Sequence, residues 1–484
     1  MMTILIWPGR VAGQTRERQM LRKHSSYIYT YSTSICRCVC YHKYQASYME
    51  ATTGPRSRCA GLNSPFVYIR EGELLLILYI WEIRANSHDS GLLFHRSLPS
   101  SSPIPSYCRI KLTTTTSAIT TYPCACIMDP ADLPKTMKTL LQVSRRSTEV
   151  IVKTVPVPIP SHPEDVLVRV HAAAPCAGEL RWAMDFPDAI PADKELVPCQ
   201  DLAGSVVLAP PDSGFAPGDR VFCRISAERA GAARDYALAR VGELAKVPVG
   251  LGWIEAAATP LSALTAWQAL FVQGTLFSAG IDGDAEAQER NAKARVLVTG
   301  AAGGVGSWVV QLAARAGAKH IVAVCGPGKE GAVRQLGATE VVNYQQSSIE
   351  EWVAINAAAR ECDLVIDVVG GRTLVGCWAA VRADGALISI NTPPDMVKPA
   401  DLDKKLTKSL FFIVEPLGSN LARIGELIRA GKVRPVIDSV WAFGEYNKAF
   451  EKLESGHSRG KIVIKVDGEA EGEAVDGIGS FSPC

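Results

Sequence analysis

The stretch "VLVTGAAGGVGSWVVQLAARAGA", Val296 to Ala318, decides how the rest of the chain is read. A short apolar run suited to a buried strand leads into Gly300-Ala301-Ala302-Gly303-Gly304-Val305-Gly306, and a helical pattern follows. A turn almost bare of side chains lets an anion approach the backbone N–H groups, and a helix N-terminus adds partial positive charge. Between a strand and a helix, such a turn suits the pyrophosphate of a dinucleotide. Gly306 would also let the helix pack close to the sheet. Glycines that merely tighten a strand–helix junction would look the same, so the flanking segments must decide.

Downstream, strand and helix patterns alternate. "HIVAVC" (320–325) reads as a strand, "KEGAVRQLG" (329–337) as a helix, and "EVVNY" (340–344), "CDLVIDVVG" (362–370) and "GALISI" (385–390) as further strands. This alternation implies a doubly wound parallel sheet. Two helices and two strands close the series, at 420–431, 434–443, 445–456 and 461–466. Upstream the character is different. "EDVLVRVHAAAP" (164–175) alternates over Val166–Val170 like a half-buried strand, and "DLAGSVVLAPPDSGFAPGDRVF" (201–222) shows short strands broken by Gly and Pro. "AATPLSALTAWQALF" (257–271) turns helical, and the polar "DGDAEAQERNAK" (282–293) reads as a solvated loop.

The 484 residues are 47% hydrophobic and 21% charged with a net charge of +2, so no global charge excess points to nucleic acid. The sum hides an asymmetry. Residues 1–127 hold 14 Lys and Arg against 6 Asp and Glu, leaving 37 against 43 for the remainder. Seven of the 14 Cys and ten of the 13 Tyr also fall in 1–127. The apolar run Leu74–Trp81 is short of the roughly 20 residues that span a bilayer. Two readings compete for this segment: a targeting sequence, Arg- and Ser-rich and acid-poor at its start, or a disordered or spurious extension. The second is preferred, because "WPGR" (7–10) breaks any amphipathic helix early and Met128 opens an ordinary start. The tail from 467 to 484 is acidic and Gly-rich and reads as disordered.

The end of the second strand of the parallel sheet selects the dinucleotide. A carboxylate there would hold the ribose 2′-OH of NAD. The chain instead reads Cys325-Gly326-Pro327-Gly328-Lys329, a neutral turn followed by a cation, which suits the 2′-phosphate of NADP. A solvated surface lysine is the alternative for Lys329.

From about Met137 to Val466 the chain resembles the medium-chain dehydrogenase/reductases, in their zinc-independent quinone-oxidoreductase branch, which includes enoyl reductases. The resemblance is carried by "VLVRVHAAAP", "DLAGSVV", "GDRVF", "LTAWQAL", "VLVTGAAGGVGSWVVQLA", "LGATEVVNY", "DLVIDVVGG" and "RGKIVIKV", in the family's order and spacing. It implies an α/β chain: a GroES-like β-rich domain over 130–266, completed by about 417–466, and a Rossmann domain over 267–416, with the cofactor in the cleft between them. Zinc-dependent relatives have a Cys at the position of Cys176 and a His at that of Gln200; an amide oxygen is a poor substitute for imidazole. Cys223 is the single Cys between "GDRVF" and "LTAWQAL", so the structural-zinc lobe is missing too. No metal is expected.

The resemblance also implies cofactor-binding roles for Thr265, Gly300, Ala301, Gly303, Gly304, Val305, Gly306, Lys329, Tyr344 and Asn391. Thr265 would pack by the nicotinamide, Tyr344 reach the 2′-phosphate, and the loop Ile388–Pro394 line the amide. The segment Phe411–Pro416 would close over the cofactor. Cys176 and Thr265 are the candidate substrate-cleft residues. The stretch "RWAMDFP" (181–187) offers Trp182 and Phe186 where enoyl-thioester reductases use a Tyr proton donor, so protonation by solvent is expected. The expected function is reduction of a quinone or an enone by NADPH, with a small-molecule substrate and neither nucleic acid nor membrane as partner. A homodimer is left open. A non-catalytic NADPH-binding protein and a partner enoyl reductase of secondary metabolism are the alternatives. The expected location is the cytoplasm, or the mitochondrion if residues 1–127 are a targeting segment.

Overall fold

The computed structural model describes residues 133–467 and, before them, the backbone of six strands between Ser26 and Ile110. Four of those strands form one antiparallel sheet, within a compact unit of their own, 1–126. The other residues of 1–132, and 468–484, lie outside the described residues, and with them most of what the sequence led us to expect for the extension and the tail. Among the described residues, no helix is long and apolar enough to cross a membrane.

The second unit has two halves. In the first, β1 (Thr136–Gln142) and β2 (Val150–Pro156) form a hairpin. A seven-stranded sheet is built on β3 (Asp165–Ala174), β4 (Asp201–Leu208), β5 (Arg220–Arg224), β6 (Tyr236–Arg240) and β7 (Leu244–Lys246). The chain then crosses to the other half and returns late to add β14 (Ile437–Ala442) and β15 (Lys461–Lys465) to this same sheet. This is the GroES-like domain.

The other half is a Rossmann sheet of six strands, all parallel: β8 (Arg295–Val298), β9 (His320–Cys325), β10 (Glu340–Asn343), β11 (Cys362–Asp367), β12 (Val381–Ser389) and β13 (Lys408–Phe411). Their spatial order is β10-β9-β8-β11-β12-β13. The order reverses between β8 and β11, and ligands of open α/β sheets bind at the carboxyl ends of the strands at such a switch point. The helix Gly304–Arg315 leaves that point and buries Trp308, Val309, Leu312 and Ala313 on one side.

Two local expectations need correction. The strand β3 is buried on both faces, not half-buried; Arg169 alone is partly exposed. Val166, Val168 and Val170 feed the inside of the β-rich domain; a bulge at His171 then swaps the faces, so Ala173 continues that core and Ala172 and Ala174 enter the core shared with the helices and the Rossmann sheet. The polar stretch 282–293 is a helix, Ala285–Lys293, rather than a loop. Asp284 caps it by accepting the Ala287 N–H at 2.8 Å, and Glu286–Arg290 and Glu289–Lys293 pair one turn apart. Asn291, in its last turn, is buried and donates to the carbonyls of Phe277 and Ala316.

Candidate active site

The glycine-rich turn carries its own internal bonds. Gly300 takes φ +56°, a conformation most side chains avoid. The Ala301 N–H donates to the Val324 carbonyl at 3.0 Å and the Gly303 N–H to the Gly300 carbonyl at 2.9 Å, so neither is free for a ligand. The helix opens at Gly304, and the N–H groups of Gly304, Val305 and Gly306 have no partner within it. A Cβ at Gly306 would overlap the Gly300 carbonyl oxygen, so only glycine lets the turn fold back on the helix. At Gly304 a Cβ would stand 3.0 Å from Ser262 Oγ and 3.2 Å from Lys461 Cδ. The cradle is therefore filled by any side chain larger than hydrogen, and it fits a pyrophosphate.

At the end of β9, Gly326, Lys329 and Tyr344 come together. The Tyr344 phenol lies against Gly326, where a Cβ would meet its oxygen at 2.8 Å. Lys329 Nζ lies 3.4 Å from the His457 carbonyl and 3.5 Å from that of Ser458, so the loop ahead of β15 borders the same spot. Glu330 stands at the same strand end but is engaged there: it accepts from Asn343 Nδ2, opposite Cys325, at 2.8 Å and from amides at the start of its own helix. Those amides, its own first, hold its carboxyl below the usual range.

Beneath the switch point sits a carboxylate that was not singled out from the sequence. Asp367 is fully buried at the end of β11. It accepts from Thr299 Oγ1 (2.8 Å), Ser389 Oγ (3.1 Å) and the Gly370 N–H (2.9 Å). One side chain thus ties the ends of β8, β11 and β12. Asn391 continues from Ser389, whose Oγ accepts the Asn391 N–H at 3.2 Å, and packs its amide over Gly370. The segment Phe411–Pro416 is held at the end of the helix Pro260–Trp267, because the Gln268 amide both donates to the Glu415 carbonyl and accepts its N–H, at 2.9 Å each.

The opposite wall of the cleft is built on Cys176, Asp201 and the helix Pro260–Trp267. Thr265 is buried in the middle of that helix and donates its hydroxyl to the Leu261 carbonyl at 2.6 Å. Asp201 Oδ1 accepts the Leu261 N–H at 2.6 Å, and its Oδ2 pairs with Lys461 Nζ at 2.9 Å. Lys461 also donates to the Pro175 carbonyl at 2.8 Å. Burial opposes its charge, but Asp201 leads the groups that outweigh it and hold the ammonium above its usual pKa. Cys176 is half-buried; burial pushes its thiol up to about 12, so it is no thiolate nucleophile at neutral pH. Glu179 accepts the N–H groups of Cys176 (3.2 Å) and Cys199 (2.9 Å), and burial raises its carboxyl to about 7.

The chain is similar to known proteins. Residues 162–256 match a family model described as "Alcohol dehydrogenase GroES-like domain", and residues 336–464 one described as "Zinc-binding dehydrogenase". A protein of Arthroderma benhamiae named "Probable zinc-binding oxidoreductase, mitochondrial" is 45% identical over 337 residues, 69% of this chain and 98% of that one. The chain belongs to the medium-chain dehydrogenase/reductases, in their quinone-oxidoreductase-like branch. The Arabidopsis thaliana "Chloroplast envelope quinone oxidoreductase homolog" is 32% identical over 320 residues, 64% of this chain and 92% of its own. The Homo sapiens "NAD(P)H oxidoreductase RTN4IP1, mitochondrial" is 30% identical over 348 residues, 64% and 83% of the two chains. This medium-chain dehydrogenase/reductase is an oxidoreductase that uses a nicotinamide cofactor.

The family names raise zinc, and the donor set of this dehydrogenase/reductase does not fit it. Among the described residues, no three His, Cys, Asp or Glu side chains cluster as metal ligands. The Gln200 amide faces the carbonyls of Ile225 and Ser226, and hydrogen bonding assigns its nitrogen to them, 3.1 Å from each, which occupies the side chain that stands where zinc-dependent relatives have histidine. Glu179, the nearby carboxyl, is spent on two backbone N–H groups.

Proposed function

We propose that the chain is an NADPH-dependent reductase that transfers hydride to a quinone or an α,β-unsaturated carbonyl compound without zinc. The observation that carries the cofactor choice is the grouping of Gly326, Lys329 and Tyr344 at the end of β9, with no free carboxylate among them. The donor set carries the acceptor class. With no ligand set for a Lewis acid, the acceptor must already be activated, as a quinone or a conjugated C=C is. The names of the quinone-oxidoreductase relatives support this reading.

When bound, the nicotinamide supplies the hydride. The chain holds and orients. The N–H groups of Gly304, Val305 and Gly306 would hold the pyrophosphate, Lys329 and Tyr344 the 2′-phosphate, and Asn391 with its loop the nicotinamide end. Thr265, whose hydroxyl is spent on Leu261, would act on the nicotinamide side by shape. The partner is a small molecule, with neither nucleic acid nor membrane required, and a homodimer is the assembly to test. The word "mitochondrial" in two relatives' names supports the mitochondrion over the cytoplasm as the location.

One observation favours the rival, a non-catalytic NADPH-binding protein: neither Thr265 nor the protonated Cys176 offers an obvious acid or base. NADPH oxidation with a panel of small quinones and enones, set beside NADPH binding by fluorescence, separates the two. Turnover that persists in chelator is expected; tight binding without turnover on any acceptor overturns the proposal.

A further inference from the structure

The face of the GroES-like sheet that looks toward the Rossmann half carries a buried cation without a counter-ion of its own. In β5, Val221 and Cys223 point into the inside core of the β-rich domain, and Phe222 into the core shared with the helix Pro260–Trp267. The period of two therefore puts Arg224 on the Phe222 face. Asp201 stands directly opposite Arg224 on β4, and Ala174, two residues before Cys176, directly opposite Asp201 on β3. Ala203 and Ala174 both belong to the shared core, so Asp201 looks the same way. Lys461 completes the row from β15, whose Val463 lies in that core as well.

Arg224 is 3% exposed, and its Nε has no hydrogen-bond partner. The groups whose charge it meets are Asp201, Cys176, Glu243 and Cys223. Both thiols are neutral, because burial raises each far above pH 7. Glu243 is engaged by the Arg229 guanidinium and by the N–H groups of Ser226 and Arg240. Asp201 is already shared between Lys461 and the Leu261 N–H. Arg224 and Lys461 thus share Asp201, while Glu243 and Glu179, the other carboxyls they meet, are engaged by Arg229 and by backbone N–H groups. A buried guanidinium is kept in a fold when an anion meets it.

We propose that Arg224 is the anion-recognition residue of the substrate cleft, and that the acceptor reduced there carries a carboxylate. A planar guanidinium fork matches a carboxylate with two parallel bonds, and Arg224 lies within electrostatic reach of Cys176, the candidate substrate-cleft residue. The proposal rests on the reductase reading above and narrows its acceptors to quinones or enones that are also acids.

The test uses the full chain with NADPH and two acceptors that differ in one charge, 4-oxopent-2-enoate and its methyl ester. Saturated 4-oxopentanoate, which cannot be reduced at a C=C, serves as a binding probe by thermal shift. The wild type should prefer the acid by about tenfold or more in kcat/KM, the ratio one charge-assisted hydrogen bond supports. Arg224→Met should erase that preference through KM for the acid, keep the NADPH dissociation constant within about twofold, and abolish the thermal shift with 4-oxopentanoate. Arg224→Lys should retain part of the preference. Equal rates on acid and ester in the wild type overturn the proposal. So does loss of NADPH binding in Arg224→Met, which would assign the guanidinium to the cofactor, and so does unfolding of both variants, which would make it structural. If the wild type reduces neither acceptor nor any simple quinone, the reductase reading fails by itself. The 4-oxopentanoate shift then still decides the role of Arg224: seen in the wild type and lost in Arg224→Met it upholds anion recognition, and absent from the wild type it refutes it.

Discussion

Lys461 Nζ and Asp201 Oδ2 meet at 2.9 Å with both side chains buried, and they join elements 260 residues apart in the chain. Asp201 holds the start of the helix Pro260–Trp267, while Lys461 follows Gly460, whose N–H donates to Ala302 in the phosphate turn at 3.0 Å. The pair therefore sets the two walls of the cofactor cleft against each other. Removing the carboxylate strands two buried cations, whereas removing Lys461 leaves Asp201 facing Arg224. Asp201→Leu should therefore cost about 3–5 kcal/mol in denaturant unfolding, and Lys461→Met clearly less. If Asp201→Leu costs no more than Lys461→Met, the carboxylate is not what holds the walls.

The pH dependence of stability should carry the mark of Glu179. Its folded pKa, about 7, lies above an ordinary carboxyl near 4.5, with burial as the main cause. The folded state therefore holds the proton more tightly than the unfolded chain. The stabilising contribution is complete below pH 4.5 and is lost as the pH rises to about 7. The shift corresponds to about 3 kcal/mol. Stability of the wild type relative to Glu179→Gln, measured by urea unfolding from pH 4.5 to 8, should fall across that window and level off above it. A flat difference would place the Glu179 carboxyl near its ordinary pKa.

Metal content follows from Gln200. Its amide bridges two backbone carbonyls, so the purified protein should carry no stoichiometric zinc and keep its activity in chelator. Gln200→Leu should act as the loss of buried hydrogen bonds does, costing about 1–3 kcal/mol of stability, without changing metal content. One zinc per chain by elemental analysis, removed together with activity, would reverse this assignment.

The strand, bare turn and helix over 295–315 were legible in the sequence because small residues between an apolar run and a helical pattern mark a strand–helix junction. The alternation of strands and helices likewise exposed the parallel sheet. What escaped the sequence depends on long-range register. Asp201, Arg224 and Lys461 sit in three separate motifs, and nothing local says that pairing of β4 with β5 and return of β15 put them in one row. Asp367 was hidden for the same reason, since Thr299 and Ser389 reach it from other strands. The helix Ala285–Lys293 differs in kind: its cap and its paired charges are readable in the sequence, but a stretch this polar also reads as a loop. β3 read as half-buried because alternation shows one face, and a second core covers the other.

Cofactor preference is the sharpest test of the assembled site. The turn accepts either dinucleotide, so discrimination falls to Gly326, Lys329 and Tyr344. Lys329 is partly exposed and touches only backbone carbonyls at 3.4 and 3.5 Å, so no carboxylate competes for its charge. A charge-assisted bond to a 2′-phosphate contributes about 1.5–3 kcal/mol when desolvated and about 0–1 kcal/mol when exposed. The expected preference for NADPH over NADH is then roughly tenfold or more. Lys329→Ala should weaken NADPH binding and leave NADH binding nearly unchanged. Gly326→Asp should act twice, because its Cβ displaces the Tyr344 phenol and its carboxylate repels the phosphate while offering the ribose a partner. Its preference should turn toward NADH. Fluorescence titration of both cofactors against the three proteins checks all of this. Equal losses for both cofactors in Lys329→Ala would remove Lys329 from the phosphate site, and a wild type that prefers NADH would overturn the assignment.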